Sequence, residues 1–140
     1  MFDIKDFIRS DAVFVDSQCQ ITEAARLLCT SGQIVLPVVN QCLEPVGILT
    51  EKDILAWLYN GRKRDAKVTD CMRVKFTTLD DKTGLIDMVY IFAGGNYREI
   101  PVVSNGVLTG LIKRGDVIKY LVDQKTAADR QVEKKAECGV

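Results

Sequence analysis

The 140-residue chain has no histidine, no excess of either charge and no long apolar run, and each absence disfavours a class of function. Without histidine it has neither a Ser-His-Asp triad nor a Cys-His pair, and the commonest general base and zinc ligand are missing. Lys+Arg and Asp+Glu number 19 each, so the formal net charge is zero. A protein that binds the phosphate backbone of nucleic acid needs a basic surplus, and we therefore expect no nucleic-acid partner.

The cysteines and the apolar runs exclude further classes. The five cysteines are odd in number and include no Cys-x-x-Cys pair, so neither a disulfide framework nor a zinc knuckle is expected. The longest apolar runs, such as residues 88–93, are far shorter than the roughly 18 residues of a membrane span. The N-terminus also lacks the basic and apolar regions of a secretory signal. We therefore expect a cytoplasmic protein with no membrane partner.

The most informative feature that is present is an internal repeat. Residues 36–40, Leu-Pro-Val-Val-Asn, match residues 100–104, Ile-Pro-Val-Val-Ser, 64 positions later. Residues 46–49, Val-Gly-Ile-Leu, match residues 109–112, Thr-Gly-Leu-Ile, at an offset of 63. The one-residue change falls in the turn between two strands, where a deletion does not reverse the faces of either strand.

In each copy, the spacing of apolar residues and the positions of turn residues predict the element order β-α-β-β-α. We expect extended segments at residues 13–15 and 76–79, helices at 21–28 and 85–92, strands at 35–39 and 100–103, strands at 46–49 and 107–112, and helices at 51–58 and 115–122. Asn105-Gly106 predicts a tight hairpin. The predicted class is α+β (α/β-type), with small mixed sheets packed against helices. Residues 1–65 form the first repeat with an N-terminal segment and linker, 66–123 the second repeat, and 124–140 a polar tail.

The repeated pattern resembles the signature of the CBS domain. The resemblance rests on apolar-Pro-Val-Val-(Asn/Ser), a turn, and then Gly-Ile-Leu-Thr-x-x-Asp-Ile-Leu at residues 47–55. Two copies in tandem resemble a CBS pair, or Bateman module, over residues 8–122. This implies two repeats related by a pseudo-twofold, clefts that often hold AMP, ADP, ATP or S-adenosylmethionine, and association into a homodimer. No other domain is visible, so the chain resembles a stand-alone CBS pair.

The resemblance also implies which residues line the two clefts. The first cleft would combine Val13, Val35 and Leu36 with Lys113 and Asp116. The second cleft would combine residues of the second repeat with two of the first, namely Thr77, Thr78, Arg98, Glu99 and Ile100 with Thr50 and Asp53. The apolar walls of the first cleft suit a purine and its lysine suits a phosphate, so we favour the first cleft. Glu99 would repel a phosphate in the second cleft if it pointed inward.

Thr50 and Asp53 permit two interpretations that can hold together. A carboxylate accepts hydrogen bonds from vicinal ribose hydroxyls, and a threonine hydroxyl with the N–H groups of a helix start can contact phosphate. The same spacing matches a capping box, in which the two residues stabilise the helix start. In the second copy Lys113 replaces the threonine and cannot accept a hydrogen bond, yet Asp116 remains, which favours a ligand role. Lys113 either attracts a phosphate or blocks the cleft.

These observations predict a regulatory module that senses an adenosine-containing nucleotide, AMP, ADP or ATP, and signals to a separate protein partner. The alternatives are a ligand-independent dimerisation or interaction scaffold and an S-adenosylmethionine binder. We expect neither an enzyme nor a required cofactor, because the chain lacks a Gly-x-x-x-x-Gly-Lys loop and a clustered set of metal ligands. Cys71 lies near the linker, but no sequence feature lowers the pKa of its thiol.

Overall fold

The computed structural model describes residues 3–63 and 65–124, and it contains the same set of elements twice. In the first repeat they are β1 (Val15–Asp16), α1 (Ile21–Ser31), β2 (Val35–Val39), β3 (Pro45–Thr50) and α2 (Glu51–Tyr59). In the second they are β4 (Leu79–Asp80), α3 (Leu85–Gly94), β5 (Glu99–Ser104), β6 (Val107–Lys113) and α4, which begins at residue 114 and is described to residue 124. A short 3-10 turn precedes each set, at Ile4–Phe7 and Val68–Asp70.

Each repeat forms one three-stranded mixed sheet, as the repeated sequence predicts. The strand orders are β1-β2-β3 and β4-β5-β6, with a parallel pair followed by an antiparallel hairpin in both. Both hairpins have a register shift at the same place, between Val38 and Val39 and between Val102 and Val103. The predicted α+β class is therefore confirmed.

The turn and helix-end residues adopt the conformations that their types favour. Asn105 and Gly106 have φ values of 52° and 81°, the pair of positive values that a type I′ hairpin turn requires. Helix α1 buries Ile21 and Leu28 against the sheet and ends at Gly32, whose φ of 75° is left-handed. These local features fix where the chain enters β2 and β6.

The two repeats complete each other's cores by exchanging their first segments. Ile4 and Phe7 precede the first repeat but are buried in the core of the second. Val68 precedes the second repeat but is fully buried in the core of the first. The exchange is supported by equivalent β-bridges, from Arg9 to Leu111 and from Arg73 to Ile48. A half-sized repeat would have a marginal core alone, so each depends on the other.

Two glycines make room for the exchanged segments. A Cβ atom added to Gly47 would overlap the side chain of Met72, and one added to Gly110 would overlap the carbonyl oxygen of Arg9. Glycine lets one backbone approach another where any side chain would separate them. The close approach of an exchanged segment thus explains why β3 has a glycine at residue 47 and β6 has one at residue 110.

Most of the predicted polar tail, residues 125–140, lies outside the described residues, and residue 124 belongs to α4. Across residues 3–63 and 65–124, none of the helices has the length and apolar character that crossing a membrane would need.

Candidate functional site

The larger of the two predicted clefts is a cavity of about 340 Å³ at the junction of the repeats. It brings together Thr50 at the end of β3, Thr77 in the segment before β4, and Arg98 immediately before β5. Its apolar lining includes Ile34 and Phe76. The sequence assigned Thr50, Thr77 and Arg98 to one cleft, and the structure places them around one cavity.

This cavity concentrates positive charge in a chain whose formal net charge is zero. Arg73, Lys75 and Arg98 all line it. Sequence reasoning missed Arg73 and Lys75, although both lie a few residues before Thr77. Arg73 is also the repeat equivalent of Arg9, so the repeat itself was an available signal. A cavity of this size with apolar walls and cationic side chains suits an anionic ligand that carries an aromatic ring.

Glu99 is the acidic residue at this cavity, and its side chain is 1% exposed. Its Oε1 accepts hydrogen bonds from the N–H groups of Ile34 and Val35, at 2.7 and 2.9 Å, so the side chain points to the first repeat. Its Oε2 has no hydrogen-bond partner among the described residues and lies 3.8 Å from the Nζ of Lys113. The carboxylate therefore joins the two repeats, and nearby cations offset its charge.

Thr50 and Asp53 form the complete capping box at the start of α2. The hydroxyl oxygen of Thr50 accepts the N–H of Asp53 at 3.2 Å, and Asp53 Oδ2 accepts both the N–H and the hydroxyl of Thr50, at 3.2 and 2.8 Å. The other carboxylate oxygen, Oδ1, accepts the Nε of Arg73 at 2.8 Å. The capping interpretation is confirmed. Both carboxylate oxygens of Asp53 already have protein partners, so a ligand would have to displace one of them, and the ligand interpretation stays a prediction.

The smaller cleft has a cavity of about 140 Å³, which is lined by Val13 and Lys113, as predicted, and also by Arg9 and Gln33. Asp116 lines a neighbouring cavity of about 310 Å³, which shares Lys113 with the first one. Arg9 binds Asp116 through two hydrogen bonds, Nε to Oδ2 at 2.9 Å and Nη2 to Oδ1 at 3.0 Å. The Arg9 guanidinium lowers the pKa of Asp116, and Asp116 in turn raises the pKa of Arg9. Asp116 therefore has an ion-pair partner that sequence reasoning missed.

The remaining predicted site residues lie elsewhere than the sequence implied, or have another role. Val35 was assigned to the first cleft, but it lines the larger cavity, because β2 lies beside β5 where its N–H reaches Glu99. Leu36 and Ile100 are fully buried in the two hydrophobic cores, where their side chains pack. Thr78 is half-buried and lines neither cavity. Any ligand contact by these four residues stays a prediction.

The four cysteines within the described residues are free thiols. Burial raises the pKa of Cys71, with a further contribution from the charge of Asp53, and burial also raises the pKa of Cys19. A raised pKa keeps a thiol protonated and unreactive at neutral pH. Residues 3–63 and 65–124 also hold no cluster of three or more cysteine or acidic side chains that could bind a metal ion.

The family of the chain follows from its two matched repeats. A family model described as the CBS domain matches residues 4–60 and again residues 68–123, so most of the chain is covered. The chain belongs to the CBS-domain family, and the resemblance inferred from the repeated sequence is confirmed.

Two curated relatives come from Bacillus subtilis (strain 168). The chain is 29% identical to the uncharacterized protein YlbB over 119 residues, which cover 84% of this chain and 80% of YlbB. It is 28% identical to the CBS domain-containing protein YhcV, with 91% of each chain covered. Three other relatives are longer, and the chain spans only 32 to 42% of their length.

Solved structures have the same fold. The structure of CBSX2 in complex with AMP has a TM-score of 0.77 and 25% identity, and the match covers 89% of this chain and 99% of CBSX2. The CBS domain pair of protein MJ0100, in complex with 5′-methylthioadenosine and S-adenosyl-L-methionine, has a TM-score of 0.75 and 22% identity, with 89 and 98% covered. The second likeness concerns the fold alone.

Proposed function

We propose that this protein is a regulatory module that binds one adenine nucleotide, with AMP as the first candidate, in the larger cleft. The observation that carries the proposal is the cavity of about 340 Å³ between the repeats, with three cationic side chains on its walls. The AMP complex of CBSX2, a similar pair of repeats, supports AMP over other anions. This choice of cleft departs from the sequence-based preference, which favoured the smaller one.

The cavity has a place for each part of the nucleotide. The Tyr97 hydroxyl and the Thr77 side chain share a hydrogen bond of 2.8 Å, whereas the main-chain N–H and C=O of Thr77 have no partner among the described residues. A purine edge with one donor and one acceptor can use that main chain. The phosphate would meet Arg98 and Lys75. The ribose hydroxyls would displace Arg73 from Asp53, and the released guanidinium would turn to the phosphate.

Occupancy would be reported through the relative position of the repeats. The cavity is bordered by both, so a ligand that binds one relative orientation more tightly shifts the population to that orientation. A separate protein partner would read that orientation. A second copy of the chain is also part of the proposal, since α2 and α4 expose large apolar side chains such as Leu55, Tyr59 and Ile118.

The test is thermal unfolding of the full chain with AMP, ADP, ATP and S-adenosylmethionine. A ligand at about 100 times its dissociation constant adds about 2.7 kcal/mol to the free energy of unfolding. For a chain of this size we expect Tm to rise by about 5–10 °C. Arg98→Gln should lose most of this rise, whereas Arg26→Gln, an exposed arginine of α1 outside the cavity, should keep it.

Two outcomes would redirect the proposal. A shift with S-adenosylmethionine alone would favour that ligand. No shift with any of the four at millimolar concentration would contradict the sensor and favour a ligand-independent scaffold. The scaffold has its own support in the structure, because Asp53 and Asp116 are already paired with arginines.

A further inference from the structure

The main chain of Val13 in the smaller cleft is already hydrogen bonded to a side chain. Gln33 Oε1 accepts the N–H of Val13 at 2.6 Å, and its Nε2 donates to the carbonyl of Val13 at 3.0 Å. The same Nε2 donates to the carbonyl of Val35 at 3.0 Å. Three hydrogen bonds therefore hold the carboxamide of Gln33 in one position, and the residue is only 9% exposed.

The equivalent position of the second repeat is arranged differently. An offset of 64 carries Val13 onto Thr77 and Gln33 onto Tyr97. Tyr97 bonds only the side chain of Thr77, which leaves the Thr77 main chain without a protein partner among the described residues. Where Gln33 lies, the cavity beside Val13 measures about 140 Å³, whereas the cavity beside Thr77 measures about 340 Å³. The remaining space of the cleft is a neighbouring cavity of about 310 Å³, lined by Lys113 and Asp116.

We propose that Gln33 occupies a latent purine site in the smaller cleft and so restricts the chain to one nucleotide. A carboxamide presents one acceptor and one donor side by side, and the N1 atom and 6-amino group of adenine present the same pair. The Val13 main chain would therefore receive adenine as it now receives Gln33. Lys113 lines the same cavity and supplies a cation for the phosphate. The inference rests on the proposed function, since it takes the ligand to be an adenine nucleotide.

Removal of the carboxamide should open the second site. Isothermal titration of the full chain with AMP should give one nucleotide per chain for the natural sequence and two for Gln33→Ala. Gln33→Met is the matched control, because it fills a similar volume without a polar group, and it should still bind one. If Gln33→Ala does not fold, Gln33→Ser tests the same point with a short polar side chain.

A second substitution identifies the site that opens. Lys75 lines the larger cavity, whereas Arg98 also lines the cavity that holds Lys113 and Asp116. Lys75→Gln should therefore lose most AMP binding in the natural chain, whereas the double variant Gln33→Ala/Lys75→Gln should bind one AMP, at the smaller cleft. Two nucleotides on the natural chain, or one on the natural chain and still only one on Gln33→Ala, would overturn the role of Gln33 and leave the proposed function standing.

Binding of no AMP to either the natural chain or Gln33→Ala would overturn both the proposed function and this inference. One AMP on Gln33→Ala and none on the natural chain would support the role of Gln33 and overturn the assignment of the larger cleft.

Discussion

Replacement of Glu99 by alanine should be among the most destabilising single changes at the junction of the repeats. Its carboxylate is 1% exposed, and Oε1 accepts the N–H groups of Ile34 and Val35 at 2.7 and 2.9 Å across that junction. Alanine cannot accept either hydrogen bond, and the side chain that fills the space is lost. Two main-chain N–H groups would then lie at the junction without a partner.

The magnitude follows from the cost of each unsatisfied group. A buried donor that loses its acceptor costs about 1–3 kcal/mol, so two cost about 2–6 kcal/mol. Glu99→Gln keeps one oxygen that can accept both N–H groups but loses the extra strength of a charged acceptor, about 1 kcal/mol per bond. It should therefore lose about 2 kcal/mol. The expected order of stability is the natural chain, then Glu99→Gln, then Glu99→Ala.

Urea unfolding measures these differences through the fluorescence of Trp57, the single tryptophan. The midpoint should fall in the stated order while the slope m stays unchanged, because the surface exposed on unfolding is nearly the same. Glu51→Ala on the exposed first turn of α2 is the control, and it should lose no more than about 1 kcal/mol. If Glu99→Ala lies within about 0.5 kcal/mol of the natural chain, the two N–H groups find other partners and the reasoning is wrong.

Three further predictions follow from the described contacts. Ile4→Ala should cost about 2–5 kcal/mol in urea unfolding, although residue 4 lies outside the repeat whose core it fills, and a loss under 1 kcal/mol would argue against the exchange. The Asp116 pKa is lowered by Arg9, so the pair stabilises the fold above about pH 3.9 and loses that effect as pH falls through the lower folded value. Asp116→Asn should thus cost up to about 1 kcal/mol at pH 7, since the pair is partly exposed, and progressively less as the pH falls below about 3.9; a constant difference would contradict this. Cys71 should react with a thiol reagent at pH 8 more slowly than the exposed Cys42. Cys42→Ser should remove a fast-reacting thiol and Cys71→Ser a slow-reacting one, and equal rates would refute the argument that burial slows Cys71.

The sequence predicted the sheets well because the repeat carries their information twice. Buried strands need apolar residues in a fixed pattern, and the Pro-Val-Val strands keep that pattern in both copies. The hairpin at Asn105-Gly106 was predictable because few residues tolerate two successive positive φ values. The exchange of first segments was not predicted, since an apolar residue such as Ile4 signals burial but not the core in which it is buried.

The site was predictable only in part, for a related reason. The grouping of Thr50, Thr77 and Arg98 came from the family resemblance, which carries the geometry of the clefts. The partners of the aspartates and of Val13 depend on side chains that are distant in sequence. Arg9 and Asp116 are separated by 107 positions, and the repeat signals only that Arg9 and Arg73 are equivalent, not that each pairs with an aspartate.

Some differences between the two repeats lie at the clefts, and these bear on how the proposed sensor would report its ligand. The equivalent pairs Gln33/Tyr97 and Val35/Glu99 differ in polarity or size, whereas the core strands keep Pro-Val-Val in both copies. Packing keeps the strands alike, whereas these cleft positions form different hydrogen bonds in the two repeats. If Gln33 fills the smaller cleft as proposed, a nucleotide would have one place to bind. A partner would then have two states to distinguish, empty and occupied, rather than the four that two independent sites would give.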